Sequence, residues 1–213
     1  MAADKDQAEG SIRNKEKSKQ KFLDAVGSLI KANGYESLKI NDIAMTAGLD
    51  KKLIYRYFGG TEQLFDEYIQ SQDFWSNVKG DKVPVEINDG GRSFMKNMLL
   101  SQFEYVSENK ELQKILLWRL SQPRKSLKKL TDDQEESGEK LLTGITDPYF
   151  EKNASKFRAI SAILVSGMYY LNLYSELNGS IFCGIDLKTE QGRAQIEEAL
   201  LFLIDQSYDH LKI

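Results

Sequence analysis

The stretch Ile40–Phe58, INDIAMTAGLDKKLIYRYF, decides the fold of this chain. It reads as two short helices joined by a tight turn. Ile43, Ala44 and Ala47 give the first helix an apolar face, and Gly48 breaks it. Ala44 is small where the two helices must approach, and Gly48 supplies a backbone that a residue with a Cβ would strain. Asp50 stands where a carboxylate accepts from the free N–H groups of the next helix. Leu49, Ile54 and Phe58 can then pack inward. That leaves Lys51, Lys52, Leu53, Tyr55 and Tyr57 on the outer side. A helix held on one side and offering Lys and Tyr on the other suits a DNA major groove.

The flanks extend the pattern. Helical periodicity starts near Lys17, with Phe22, Ala25, Val26, Leu29 and Ile30 on one stripe, and Gly34 suits a left-handed cap after Asn33. Residues 1–14 show no apolar period and are expected to be a disordered arm. After Gly59-Gly60, Thr61 is expected to cap a fourth helix through Leu64, Phe65, Tyr68 and Ile69, ending near Ser76. Residues 79–91 read as a loop. Further helices are expected over Arg92–Ser107, Leu112–Leu120 (stopped by Pro123) and Lys125–Leu142, with a break at Asp147-Pro148. Two long helices close the chain, Ala154–Leu177 and Thr189–Leu211. No segment shows convincing strand alternation. The fold class is all-α, with roughly nine helices. The expected domains are the arm, a helix-turn-helix unit over 15–60 and a larger helical unit over 61–213.

Bulk numbers narrow the function. The 213 residues suffice for one or two domains with a sizeable core. No apolar run approaches the roughly 20 residues that span a bilayer, and the polar N-terminus lacks the core of a secretory signal. A single cysteine, Cys183, excludes an intramolecular disulfide, so the cytoplasm is the expected location. Residues 1–60 carry 11 Lys+Arg against 8 Asp+Glu, while the whole chain has a net charge of −3. A basic front on an acidic body is compatible with DNA binding, because the local field near phosphate matters more than the sum.

The group 22–65 resembles the DNA-binding domain of the tetracycline-repressor (TetR) family of bacterial transcription regulators. The matching elements are Gly34-Tyr35, Ile43-Ala44, Ala47-Gly48-Leu49, Tyr55-Arg56-Tyr57-Phe58 and Glu62-Gln63-Leu64-Phe65, in the family's order and spacing. The resemblance implies Lys51, Lys52 and Leu53 at base edges, and Tyr55 and Tyr57 at phosphates. It implies further phosphate contacts from Asn41 and Thr61 at helix starts. The chain departs from the family pattern at Asp50, Lys52, Leu53 and Thr61, and at Lys39, where a capping Thr is common. Arg13, Lys15, Lys17, Lys19 and Lys21 are either a phosphate-tracking arm or a solvated face.

The resemblance further implies a homodimer on double-stranded DNA, a palindromic operator, repression and release by a small-molecule effector. Aromatic and Met residues of the larger unit, Phe94, Met98, Phe103, Trp118, Met168 and Tyr169, are candidates for an effector pocket, with Trp75 in the same set. For any one of them, helical spacing fits a core position better. The last two helices are expected to pair with their symmetry mates through Leu164, Gly167, Leu171, Leu200, Leu203 and Ser207. His210 and Cys183 cannot build a metal cage, and the run Asp132–Glu136 fits a solvated face. No acid, base or nucleophile set assembles, so no enzyme and no cofactor is expected. The alternative is a helical ligand-binding or protein-interaction module with a degenerate DNA-binding head.

Overall fold

The computed structural model describes residues 2–72, 87–177 and 179–212, without the side chains of residues 2–12 and of Ser37. Among the described residues the fold is all-α apart from one short hairpin. Among the described residues eight helices run eight residues or longer, somewhat fewer than expected.

The first compact unit comprises residues 1–76 and 114–130. Its helices are α1 (Ala2–Asn33), α2 (Ile40–Ala47), α3 (Lys52–Phe58) and α4 (Thr61–Ser71). To these it adds most of α6 (Lys110–Ser121) and the first part of α7 (Lys125–Leu141). Phe22, Val26 and Ile30 of α1, Ile43 of α2, Ile54 of α3 and Leu64 and Ile69 of α4 are almost wholly buried in one core. Ile115, Trp118, Leu127 and Leu130 complete it. The expected domain boundary at residue 60 therefore does not coincide with the packing, because the apolar face of α4 is shared with residues 114–130.

α1 is helical from Ala2, well before Lys17, where the apolar stripe begins, so the expected disordered arm is helical backbone here. Ala is the best helix former, and the arm carries three, Ala2, Ala3 and Ala8. Gly34 has positive φ but ψ of 177°, outside the left-handed helical well expected for it. The chain runs from there through a single 3₁₀ turn, Tyr35–Ser37, into α2.

The second unit comprises residues 77–113 and 131–213. It contains α5 (Arg92–Glu108), a π-helical segment (Leu142–Thr146), the one-turn α8 (Asp147–Phe150), α9 (Ala154–Leu177) and α10 (Glu190–Leu211). Phe94, Leu99 and Phe103 of α5, Phe150, Phe157 and Met168, and Ile204 and Tyr208 of α10 form its core. Asp89 caps α5, its carboxylate accepting from Gly91 and Ser93 N–H. Asp147-Pro148 is not the expected break. Pro148 sits in the first turn of α8, where its missing N–H costs nothing. Arg158 of α9 binds both Asp147 and Glu139, tying the irregular corner to the long helix.

Between α9 and α10 lies an antiparallel hairpin, β1 (Ile181–Phe182) and β2 (Ile185–Asp186), that the sequence did not announce. Its turn residues, Cys183 and Gly184, both have positive φ, 51° and 81°. That is the sign pattern of a two-residue hairpin turn matched to strand twist. Thr189 caps α10, its Oγ1 accepting from Gly192 N–H at 3.0 Å. The tail of the expected 79–91 loop is described only from residue 87, and Trp75 and the expected helix end at Ser76 lie outside the described residues. Among the described residues no helix is long and apolar enough to cross a membrane.

Candidate nucleic-acid interface

The geometry of the turn fixes how α3 is presented. Gly48 sits at φ 65°, ψ 34°, in the left-handed well. Its N–H reaches Met45 O, and Leu49 N–H reaches Ala44 O, both at 3.1 Å. This paired capping ends α2 within one residue. Asp50 then acts as foreseen. Its Oδ1 accepts from Lys52 N–H at 2.8 Å, and its carbonyl accepts from Leu53 N–H at 2.9 Å. α3 stops as sharply at Gly59, another left-handed residue.

The two sides of α3 are distinct. Ile54 is fully buried, and Phe58 meets Phe22 edge-on with ring centroids 6.1 Å apart. Lys51, Lys52, Tyr55 and Arg56 are exposed. Lys52, Tyr55 and Arg56 stand three and four residues apart and share one helix face. Leu53 and Tyr57, four residues apart on one flank of the helix, are half-buried and pack against the head core. Tyr55, 58% exposed, is therefore the freer of the two tyrosines, which the sequence reading places together on the outer side. Arg56 was not singled out from the sequence. Its guanidinium lies 6.0 Å from the Tyr57 ring, and its spacing from Lys52 was the available signal.

Asn41, exposed in the first turn of α2, accepts from Lys51 Nζ at 3.0 Å. Lys39 precedes α2 without a side-chain capping bond. Thr61 is the first residue of α4 rather than its cap. Gly60 holds the cap position, without a side-chain bond. Lys19, one of the five basic residues near the N-terminus, is engaged within the head. Its Nζ is 2.8 Å from Glu67 and lies over the Phe58 ring.

The other predicted sets are only partly assembled. Phe94, Phe103 and Met168 are buried in the second core, with Met98 and Tyr169 packed against it. Trp118 is not with them. It belongs to the core of the first unit, stacked on Tyr35, because α6 crosses between the units at Gln113–Lys114. Of the expected dimer residues, Leu164, Leu200 and Ser207 are buried within their own chain and Leu171 is half-buried. Gly167 and Leu203 face outward, and the exposed large apolar residues on these helices are Ile163, Tyr170, Leu177, Phe202 and Leu203. α9 is apolar nearly all round, so periodicity alone could not separate its inner from its outer face.

Comparison with known proteins agrees with this geometry. Residues 22–68 match the family described as bacterial regulatory proteins, tetR family. The HTH-type transcriptional regulator YfiR of Bacillus subtilis (strain 168) is 22% identical over 175 residues, spanning 75% of this chain and 78% of YfiR. A TetR-like transcriptional regulator from Rhodococcus sp. RHA1 superposes with a TM-score of 0.62 at 15% identity, covering 91% of this chain and 96% of the other. FadR from Bacillus subtilis, solved with stearoyl-CoA, gives a TM-score of 0.62 at 17% identity, covering 87% and 96%. Residues 22–68 thus match the DNA-binding domain of the TetR family of helix-turn-helix transcriptional regulators, and the chain as a whole shares the fold of solved TetR-like regulators.

Proposed function

We propose that this protein is a homodimeric repressor that binds a palindromic operator and leaves it when a small molecule binds the larger helical unit. The observation that carries the reading is the outward face of α3. Four exposed groups, Lys51, Lys52, Tyr55 and Arg56, lie on a helix whose opposite side is buried. Lys and Arg supply charge to phosphates and donors to base edges, and Tyr supplies a phenolic O–H. Asn41 and Thr61 add polar groups at the starts of the neighbouring helices. The DNA-binding role falls to the unit that holds α1 to α4, and the effector and dimerisation roles to the second unit.

The dimer is supported by the apolar residues left exposed on α9 and α10. Ile163, Tyr170, Phe202 and Leu203 are between 43% and 70% exposed. Ile163 and Leu203, with Leu164, Ser207 and Leu211, border an open apolar groove along these helices. Pairing this face with its symmetry mate buries it in a four-helix arrangement. Two recognition helices about 34–36 Å apart then reach successive major grooves on one face of DNA. An effector that binds better to a state with another separation lowers DNA affinity by linkage. The pocket residues proposed are Phe94, Met98, Phe103, Met168 and Tyr169. FadR, of similar fold, was solved with stearoyl-CoA, which makes long-chain acyl-CoA the first compounds to test. A regulator of chromosomal DNA works in the cytoplasm.

The test is selection of duplexes from a random library by the purified protein, followed by polarisation titration. Enrichment of an inverted repeat, with binding that weakens steeply with salt, is the expected result. Enrichment of no sequence overturns the reading.

A further inference from the structure

A cation held between aromatic rings braces the helix-turn-helix from behind. α6 ends before Pro123, which cannot continue it, and Arg124 follows in the short bend before α7. The Arg124 guanidinium carbon lies 4.8 Å from the Trp118 ring and 5.1 Å from the Phe65 ring. One of its terminal nitrogens is 2.5 Å from a carboxylate oxygen of Glu62. Trp118 in turn stacks on Tyr35, with centroids 4.9 Å apart and planes 4° from parallel.

The partners of this pair lie at both ends of the DNA-reading segment. Tyr35 occupies the 3₁₀ turn that leads into α2. Glu62 and Phe65 are in the first turns of α4, joined to α3 only through Gly59 and Gly60. The packing carries a cost, since the buried Trp118 Nε1, Arg124 Nε and Ser126 Oγ have no hydrogen-bond partner among the described residues. α6 begins in the second unit, at Lys110 to Gln113, and α7 runs on past Leu130 into that unit.

We propose that Arg124 is a positioning residue for DNA binding, fixing the attitude of α3 through Glu62 and Phe65 without touching DNA itself. The inference rests on the reading of α3 as the DNA-contacting helix. Planar stacking on two rings and a carboxylate contact are tasks for a guanidinium, which an ammonium performs less well.

The experiment uses the full-length protein and the duplex that the wild type selects from a random library. Arg124→Ala, Arg124→Lys and Glu62→Ala are titrated over a salt series, with oligomeric state checked by sedimentation. Arg124→Ala is expected to weaken binding by about tenfold, Glu62→Ala by about threefold and Arg124→Lys by less than Arg124→Ala. The slope of log affinity against log salt stays at the wild-type value, because no phosphate contact is lost.

Glu62→Ala is the sharpest arm. Its side chain is 67% exposed, so its removal leaves the core intact should Arg124→Ala fail to fold. Loss of an acidic group close to the DNA-reading helix would by charge alone tighten binding. Unchanged or tighter binding by Glu62→Ala overturns the inference. So does a shallower salt slope in Arg124→Ala, which would make Arg124 a direct phosphate contact. A wild type that selects no duplex overturns the proposed function and this inference with it.

Discussion

Lys51 Nζ donates to Asn41 Oδ1 at 3.0 Å, so the first basic group of the reading segment is tethered to the start of the preceding helix. The tether spans the whole turn and orients the lysine before any DNA arrives. Lys51→Ala is expected to weaken operator binding by about tenfold and to reduce the salt slope by about 0.9, the share of one phosphate. Asn41→Ala removes the tether but keeps the charge, so its slope stays closer to that of the wild type. Polarisation titrations across a potassium chloride series read both quantities. An unchanged slope in Lys51→Ala would remove that residue from the phosphate contacts.

Gly48 offers a test of the turn that is free of packing. A Cβ added there meets no atom within 4 Å, so only the left-handed backbone resists substitution. Gly48→Ala should cost about 1 kcal/mol in urea unfolding, and Gly48→Asn less, since Asn visits this region more readily. Gly48→Val should cost more than either.

Alkaline stability should depend on Tyr208. Its phenol donates to Gly90 O at 2.9 Å from the core of the second unit. Burial first, and the nearby Asp89 carboxylate second, raise its pKa above the ordinary phenol value. A raised folded pKa gives stability that is fully present below the unfolded value of about 10 and is lost as pH rises beyond it. Tyr208→Phe should therefore be less stable at neutral pH, by about 1 kcal/mol for the lost hydrogen bond. The gap to wild type should narrow above pH ~10. Urea melts at neutral and alkaline pH would show the gap closing, and a constant gap would refute the assignment.

Ile163 and Phe202 are 70% and 59% exposed, on α9 and α10 respectively. Because neither fills its own core, Ile163→Glu and Phe202→Glu should leave the fold intact, with changes in monomer stability within about 0.5 kcal/mol. Together they should convert a dimer to monomers in sedimentation velocity and abolish tight operator binding. Leu164→Glu would instead unfold the second unit, since that side chain is buried inside its own chain.

The helix-turn-helix could be read from sequence because its determinants are local. A glycine that must turn left, a carboxylate two residues later and apolar residues at helical spacing all fall within Ile40–Phe58. The two long C-terminal helices were equally legible, and α9 spans the expected Ala154–Leu177. Partners distant in sequence were not. Periodicity marks Trp118 as buried, but only the course of α6 sets it against Tyr35 rather than Phe94. The two-residue strands were too short to show alternation, and Cys183 gives no conventional signal for a turn with positive φ. The split between Tyr55 and Tyr57 was hidden for another reason. Two residues of separation places them on different sides of α3, yet which side the core takes depends on α1 and α4.

The hairpin turn carries the only cysteine in the sequence, and its side chain is exposed. One nitroxide or fluorophore attached there would label each copy at a single point on a hydrogen-bonded turn. In a two-fold assembly the pair of labels would report one distance. Followed by pulsed electron resonance with and without duplex or acyl-CoA, that distance would give the change in separation between copies directly, without mutating any residue of the reading head.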